Sequence, residues 1–272
     1  LALLTVATAG CPGLDLDLGG AGDGEQILFQ SGYAFARDGE IYVADGSDYQ
    51  AAKRLTTSGS NSQPAISANG RVVVYVHTDL SGQTSLRRVS TGGGEESELV
   101  PASEGRTLSQ PALDAAGSRV VFVSKDGSGG GSLAVVEIDG RNERLIDSSF
   151  NDSSPSFYPD GASVLALTGP GSLSRDELVR VELSAGVRSS VASGLGALGS
   201  RAALSPDGTR IAFEMRRDSK TRIFVVDEAG GSPTQISSTG GNDLSPTWVN
   251  DGRLGFASDV GGTWNVYELE VA

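Results

Sequence analysis

A unit of about 45 residues recurs along the chain, and no other feature limits the possible folds as strongly. Each copy contains a glycine preceded by Asp, Asn or a small residue and followed by a short apolar strand. The marker glycines are Gly24, Gly70, Gly117, Gly161, Gly208 and Gly252, which lie 44–47 residues apart. A repeat of this period, with four short strands in each copy, is typical of β-propellers. The sequence therefore predicts an all-β fold, a six-bladed β-propeller of four-stranded blades.

A second marker lies six residues before each glycine and is a proline in four copies. The second-marker residues are Leu18, Pro64, Pro111, Pro155, Ala202 and Pro246. We expect the proline to open the inner strand of each blade, where its missing N–H removes no ladder bond. We expect the Asp-Gly pairs to form two-residue hairpin turns, which require positive φ. In the first copy, the predicted strand after the glycine is Ile27–Phe29.

The end of the repeat raises the question of how the ring closes. The last copy ends just after its third strand, Val266–Leu269, and so lacks an outer strand. Leu14, Leu16 and Leu18 alternate with aspartates, which is the period of a half-buried strand. The sequence does not show whether this segment joins the first or the last blade. We predict that residues 14–18 pair at the closing seam, as the outer strand beside Val266–Leu269.

Three segments of the repeat carry a family resemblance. They are Leu204-Ser205-Pro206-Asp207-Gly208-Thr209-Arg210-Ile211-Ala212-Phe213, Pro155-Ser156-Phe157-Tyr158-Pro159-Asp160-Gly161 and Pro246-Thr247-Trp248-Val249-Asn250-Asp251-Gly252. These segments resemble the WD-repeat-like unit of the TolB family, and the resemblance covers about residues 18–272. It implies a six-bladed propeller. TolB itself carries an additional N-terminal α/β domain, for which this chain has no room, so we expect the propeller type without that domain.

The N-terminal residues are typical of the end of a secretory leader. Leu1–Ala9 is apolar or small, and Cys11 follows, as in a bacterial lipobox. We predict that residues 1–11 are a truncated signal peptide with a lipobox cysteine, and that residues 12–272 are one propeller. Ordinary cleavage after Ala9 and a structural role for Cys11 are the alternatives. Lipidation predicts a periplasm-facing lipoprotein anchored in the outer membrane; ordinary cleavage predicts a secreted or periplasmic protein.

Composition excludes several classes of function. The net charge of −13 repels phosphate backbones and anionic lipids, so we expect no nucleic-acid partner and membrane contact through a lipid anchor only. One Cys and one His exclude a disulfide framework and any metal site built on several such ligands. We therefore expect no metal and no cofactor. The sequence contains no G-x-S-x-G nucleophile motif, and we predict that the protein is not an enzyme.

The residue before each second marker is the candidate binding position. We expect these residues to ring the mouth of the central channel, either as a solvated ring or as a binding site: Asp17, Gln63, Gln110, Ser154, Arg201 and Ser245. The predicted function is a non-catalytic, monomeric binding or scaffold propeller that recognises a protein or peptide partner of the cell envelope on one face. The alternatives are an assembly component without a ligand and a carbohydrate-active enzyme that uses loop carboxylates such as Asp79, Asp126 or Asp176.

Overall fold

The computed structural model describes residues 6–8, 32–45, 52–127, 130–147, 151–168, 176–196, 198–262 and 264–271. Within these ranges the chain forms strands and turns and no helix, and the strands build six antiparallel sheets. The predicted all-β, six-bladed propeller is confirmed. No helix in the described part of the chain is long and apolar enough to cross a bilayer.

The strands are numbered in chain order, and each sheet begins with the strand nearest the axis. The inner strands are β1 (Val6–Thr8), β5 (Ser60–Ile66), β9 (Thr107–Leu113), β13 (Ser153–Phe157), β17 (Leu198–Leu204) and β21 (Asp243–Asn250). The second strands are β2 (Gly32–Arg37), β6 (Val72–Thr78), β10 (Arg119–Lys125), β14 (Ser163–Thr168), β18 (Arg210–Arg217) and β22 (Arg253–Ser258).

The outer half of each blade follows the same order. The third strands are β3 (Glu40–Asp45), β7 (Thr84–Ser90), β11 (Gly131–Glu137), β15 (Glu177–Glu182), β19 (Lys220–Asp227) and β23 (Asn265–Glu270). The outer strands are β4 (Lys53–Arg54), β8 (Ser97–Val100), β12 (Arg144–Asp147), β16 (Arg188–Ala192) and β20 (Thr234–Gln235). Within the described residues, blade 6 has three strands.

The hydrophobic core lies between neighbouring blades. Each pair of facing sheets shares one cluster, since apolar side chains alternate along the strands and fill the gap on both faces. Leu165, Leu167, Leu178 and Phe213, for example, are fully buried between blades 4 and 5. A blade therefore depends on both neighbours to bury its faces, and the ring must close.

The ring closes on its inner side through β1. This strand pairs antiparallel with β2 and contacts both β5 and β21. At the same seam, the buried Tyr33 packs near Val249 and its hydroxyl donates a hydrogen bond to Glu268. The first sheet thus begins at Val6, which lies within residues 1–11, the predicted signal peptide. Cleavage of that peptide stays a prediction. The predicted closing segment, residues 14–18, lies outside the described residues.

The marker turns of blades 2 to 5 differ from the predicted two-residue type. Gly70, Gly117, Gly161 and Gly208 have φ of 68°, 66°, 63° and 75°, but the residues before them do not have positive φ. In blade 5, the N–H of Gly208 donates to Ser205 O and the N–H of Ser205 donates to Arg210 O, at 2.8 Å each. The loop is therefore a four-residue turn with one left-handed glycine, and the Asp accepts local N–H groups instead.

One strand prediction lies outside the described residues, and another needs correction. The strand predicted at Ile27–Phe29 falls outside the described residues, and the second strand of blade 1 is β2, joined to β3 by Asp38-Gly39. Both turn residues there have positive φ, 54° and 77°, as a two-residue turn requires. In the other blades the marker proline lies within the inner strand and not at its start, because a bulge removes the ladder bond at that point.

Candidate functional site

The predicted channel residues form a ring halfway along the inner strands. Four of them have positive φ: Gln63 (51°), Gln110 (54°), Ser154 (52°) and Ser245 (53°). Each forms a bulge with the residue after it; in blade 2, Gln63 and Pro64 lie opposite Tyr75 alone. The structure thus brings these residues together, but at mid-strand and not at the ends of the strands. Asp17 lies outside the described residues.

Hydrogen bonds connect this ring from one blade to the next. The backbone N–H of Gln110 donates to Gln63 Oε1 at 2.6 Å, and that of Ser154 donates to Gln110 Oε1 at 2.7 Å. Between blades 4 and 5, Ala202 N–H donates to Ser154 Oγ at 2.7 Å. Because a bulge leaves a backbone N–H without its ladder partner, the side chain of the preceding blade supplies the acceptor. These side chains hold the ring together.

Blade 5 departs from this pattern. Its bulge contains three residues, Gly199, Ser200 and Arg201, opposite the single residue Glu214. The residue opposite the bulge is apolar or aromatic in the other blades with this bulge: Tyr75, Phe122, Ala166 and Phe256. The extra residue and the buried carboxylate therefore occur together in one blade.

Glu214 supplies the acceptors that Arg201 cannot supply. Its Oε1 accepts the N–H of Ser245 in blade 6 at 2.7 Å, and its Oε2 accepts the N–H of Ser200 at 2.8 Å. A guanidinium is a donor only, so Arg201 cannot play the part of Gln63 or Gln110. Burial raises the pKa of Glu214 above its ordinary value, while the two N–H groups and the charge of Arg201 oppose that shift.

Arg201 has no hydrogen-bonding role in the ring. Its side chain makes no hydrogen bond or ion pair with any residue that the structure describes. Arg201 is half-buried and lines the channel wall. Burial lowers the pKa of Arg201, and the negative charge of Glu214 opposes that shift. The side chain is thus a cation with five donors and no local acceptor.

Arg201 lines an axial cavity of about 240 Å³. The cavity extends from the ring of bulges to the turns between first and second strands, and prolines and small residues form most of its wall. The other charged residue of the wall, Asp114, accepts hydrogen bonds from Ser118 and from the Arg119 guanidinium. Arg201 is therefore the unpaired charge of this cavity within the described residues.

The remaining candidates do not converge on this cavity. His77 lies at the end of β6, with Nδ1 2.8 Å from Asn61 Oδ1; burial first and Arg87 second lower its pKa. Asp79 is exposed, and its carboxylate accepts N–H groups of its own turn, at Ser81 and Gln83. The described residues include no cluster of three or more His, Cys, Asp and Glu that could hold a metal ion. Cys11 lies outside the described residues.

Sequence reasoning included Arg201 but missed Glu214. The signal was present in the repeat, because an alignment of the second strands places Glu214 at the position of Tyr75 and Phe122. A carboxylate in the run Ile211-Ala212-Phe213-Glu214-Met215 interrupts a buried strand. A buried charge needs partners, so this residue indicates a local polar network.

Comparisons with known proteins agree with the geometry. Residues 173–272 match the TolB beta propeller domain. The chain is similar to TolB from Acinetobacter baumannii, with a TM-score of 0.69 and 18% identity over 89% of this chain; it spans 58% of that protein's length. It is also similar to a putative TolB from Agrobacterium tumefaciens, with a TM-score of 0.68 and 17% identity over 82% of each chain.

Other proteins share the fold. An oligogalacturonate lyase from Vibrio parahaemolyticus aligns with a TM-score of 0.63 and 13% identity, over 89% of this chain and 75% of that one. No curated protein matches the sequence. At these identities the solved structures show the fold alone, and they include enzymes. The chain is a six-bladed β-propeller, and its residues 173–272 match the TolB beta propeller domain.

Proposed function

We propose that the protein is a non-catalytic binding propeller that takes a segment of a protein or peptide partner into the axial cavity. The observation that carries the proposal is the cavity itself, which opens at the face of the turns between first and second strands and contains the unpaired Arg201. A concave site in which a few placed polar groups fix the orientation of a ligand is typical of binding sites. We name this face, bearing the turns that contain Gly70, Gly117, Gly161 and Gly208, the turn face.

The size of the cavity favours a partner's side chains over a free small molecule. Sites for small molecules usually measure about 300–1,000 Å³. The volume of about 240 Å³ is smaller and suits one or two side chains of a segment that rests on the turn face. An oligosaccharide would need a longer cleft with carboxylates on both sides of the bond to be cleaved.

The carbohydrate-active alternative depends on residues elsewhere. Asp79 lies in the hairpin between β6 and β7, at the end of the strands opposite the turn face. Asp126 and Asp176 also lie at that end, after β10 and before β15. A substrate would therefore bind away from the cavity. Substitution of Asp79 and Asp126 by Asn, with hydrolysis or elimination measured on acidic and neutral oligosaccharides, separates this alternative from the binding function.

Selection of peptides from a random library against the full chain tests the proposal. Ala115 is an exposed turn residue on the cavity wall, and Leu80 is an exposed residue of a hairpin at the other end of the blades. We expect Ala115→Trp to weaken the selected peptides at least tenfold and the matched variant Leu80→Trp to leave them unchanged. Equal binding to both variants, or no selected peptide, would contradict the proposal.

We also propose that the propeller works at the bacterial cell envelope, anchored through a lipid on Cys11 and facing the periplasm. The small residues before Cys11 support this. Labelling with a palmitate analogue should mark the full chain, and Cys11→Ala should abolish the label and release the protein to the soluble fraction. A Cys11→Ala protein that stays labelled and membrane-bound would show that the anchor lies elsewhere.

Processing at Cys11 has a consequence for blade 1. Cleavage before Cys11 would remove Val6–Thr8, which forms β1. The place beside β2 would then need another strand, and the alternating residues 14–18 have a suitable pattern. We expect a chain that begins at Cys11 to keep the thermal stability of the longer one, and removal of residues 12–18 from it to lower the unfolding temperature. An equal unfolding temperature after that removal would exclude residues 14–18 from the sheet.

A further inference from the structure

In blades 3 to 6 a backbone N–H at the bulge takes its acceptor from the preceding blade, and side chains of three kinds supply it: an amide, a hydroxyl and a carboxylate. Gln63 and Gln110 accept the next blade's N–H through a neutral side-chain amide. Blade 5 instead uses the carboxylate of Glu214 and places Arg201 at the ring position. A glutamine at position 201 could have accepted the next blade's N–H without burying any charge. The stability of the ring therefore does not explain why an arginine stands at this position.

The surroundings of Arg201 favour a negatively charged ligand. Glu214 has both oxygens occupied by backbone N–H groups, and the structure contains no ion pair between the two residues. Arg201 lines the cavity, and its guanidinium carries a planar set of N–H donors with no hydrogen-bonded partner among the described residues. Such a fork matches the two oxygens of a carboxylate, in a geometry that a compact ammonium group does not reproduce.

Size and overall charge narrow the ligand further. The cavity of about 240 Å³ admits a side chain or a chain end but not a polymer backbone. The net charge of −13 opposes the approach of polyanions, whereas a single negative charge on a short segment meets that field only weakly. Gln110 also lines the cavity, and its Nε2 makes only a long contact of 3.5 Å with Ser200 O. A second donor thus stands beside the arginine.

We infer that Arg201 is a carboxylate-binding residue, and that the partner inserts one carboxylate into the axial cavity from the turn face. This inference rests on the proposed function, because it names the chemistry of the inserted group. The carboxylate belongs to an acidic side chain or to a C-terminus, and both would meet the same guanidinium fork.

Side-chain NMR on the full-length protein tests the inference. The probes are acetyl-Gly-Glu-Gly-amide, with a side-chain carboxylate, and acetyl-Gly-Gly-Gly, with a C-terminal carboxylate. The matched neutral probes are acetyl-Gly-Gln-Gly-amide and acetyl-Gly-Gly-Gly-amide, and acetate reports on the carboxylate alone. The Arg201 Nε–H signal is assigned by its loss in Arg201→Gln. We expect saturable shifts of this signal with the carboxylate probes only, and the tighter of the two peptides identifies the source.

Variants make the result specific to Arg201. We expect Arg201→Gln to weaken the carboxylate probes at least tenfold, and Arg201→Lys to weaken them less, because it keeps the charge and loses the fork. Arg216→Gln removes an exposed charge from the same blade and should change nothing. Equal shifts with the carboxylate and amide probes, or unchanged affinity in Arg201→Gln, would overturn the inference. If Arg201→Gln does not fold, the wild-type probe series and Arg201→Lys decide.

Different results would contradict the peptide-binding function and the carboxylate site. If selected peptides bind the turn face and are blocked by Ala115→Trp, but bind equally well without a carboxylate, the carboxylate inference is wrong and the binding function stands. If no peptide binds while acetate shifts the Arg201 signal in a saturable way, the carboxylate site stands and the peptide function is wrong.

Discussion

Blades 2 and 3 on one side and blade 5 on the other perform the same structural task with different residues. In blades 2 and 3 the bulge contains two residues, and the glutamine of the bulge accepts the N–H of the next blade. In blade 5 the bulge contains three residues, and Glu214 of the second strand is the acceptor. The comparison shows that the ring needs an acceptor at this place but does not require it to come from the bulge.

This difference frees a position for function. When the acceptor comes from the second strand, the ring residue no longer has to be an amide or hydroxyl, and a donor-only side chain can occupy it. Arg201 occupies that position and faces the cavity. The cost is a buried carboxylate that must keep both hydrogen bonds, so we expect blade 5 to be more sensitive to substitution than blades 2 and 3.

Glu214→Ala should have the largest effect. It leaves the buried N–H of Ser245 and the part-buried N–H of Ser200 without acceptors, and the loss of its acceptor costs a buried group roughly 1–3 kcal/mol. We expect a loss of about 2–4 kcal/mol, which lowers the unfolding temperature by about 5–10 °C for a chain of this size. Thermal unfolding of the variant measures it, and the exposed Glu182→Ala is the control. Equal unfolding temperatures of the two variants would contradict the role of Glu214 as the acceptor that stabilises blade 5.

Gly199→Ala should follow. A Cβ at Gly199 would lie 2.4 Å from both Cβ and Oε2 of Glu214, so the carboxylate would have to move. Overpacking of this kind costs about 1–3 kcal/mol. Gly127→Ala is the control, because a Cβ there meets nothing within 4 Å. Calorimetric melts that place both variants within about 0.5 kcal/mol of the parent protein would show that the wide bulge tolerates a side chain.

The smallest effects should distinguish the two ring positions. Gln110→Met and Arg201→Met keep an unbranched side chain and remove its polar end. We expect Gln110→Met to lose about 1 kcal/mol, because Ser154 N–H loses its acceptor. Arg201→Met should cost less stability than Gln110→Met, since it breaks no hydrogen bond. Denaturant unfolding measures the free energy of unfolding of both variants. A larger loss of that free energy in Arg201→Met than in Gln110→Met would mean that Arg201 stabilises the ring.

The sequence predicts the architecture better than the details around the axis. The spacing of glycines and prolines is sufficient for the blade count, because each copy repeats the same turn chemistry. In blade 1 a tight Asp38-Gly39 hairpin joins the second and third strands, and the marker glycine of that copy, Gly24, lies outside the described residues. The bulges could not be predicted from composition, since the positive φ of Gln110 and Ser154 depends on acceptors that the preceding blades supply to their N–H groups.

The most direct measurement is a pH titration of backbone amide protons by NMR. Burial raises the pKa of Glu214 above its ordinary value of 4.5, so the carboxylate should take up its proton above that pH as the solution is acidified. The amide protons of Ser200 and Ser245 should then shift together, with one midpoint above 4.5, while those of Gln110 and Ser154, which donate to neutral amides, should not follow that midpoint. A Ser245 signal that ignores pH, or a Gln110 signal that titrates in the same way, would contradict the account.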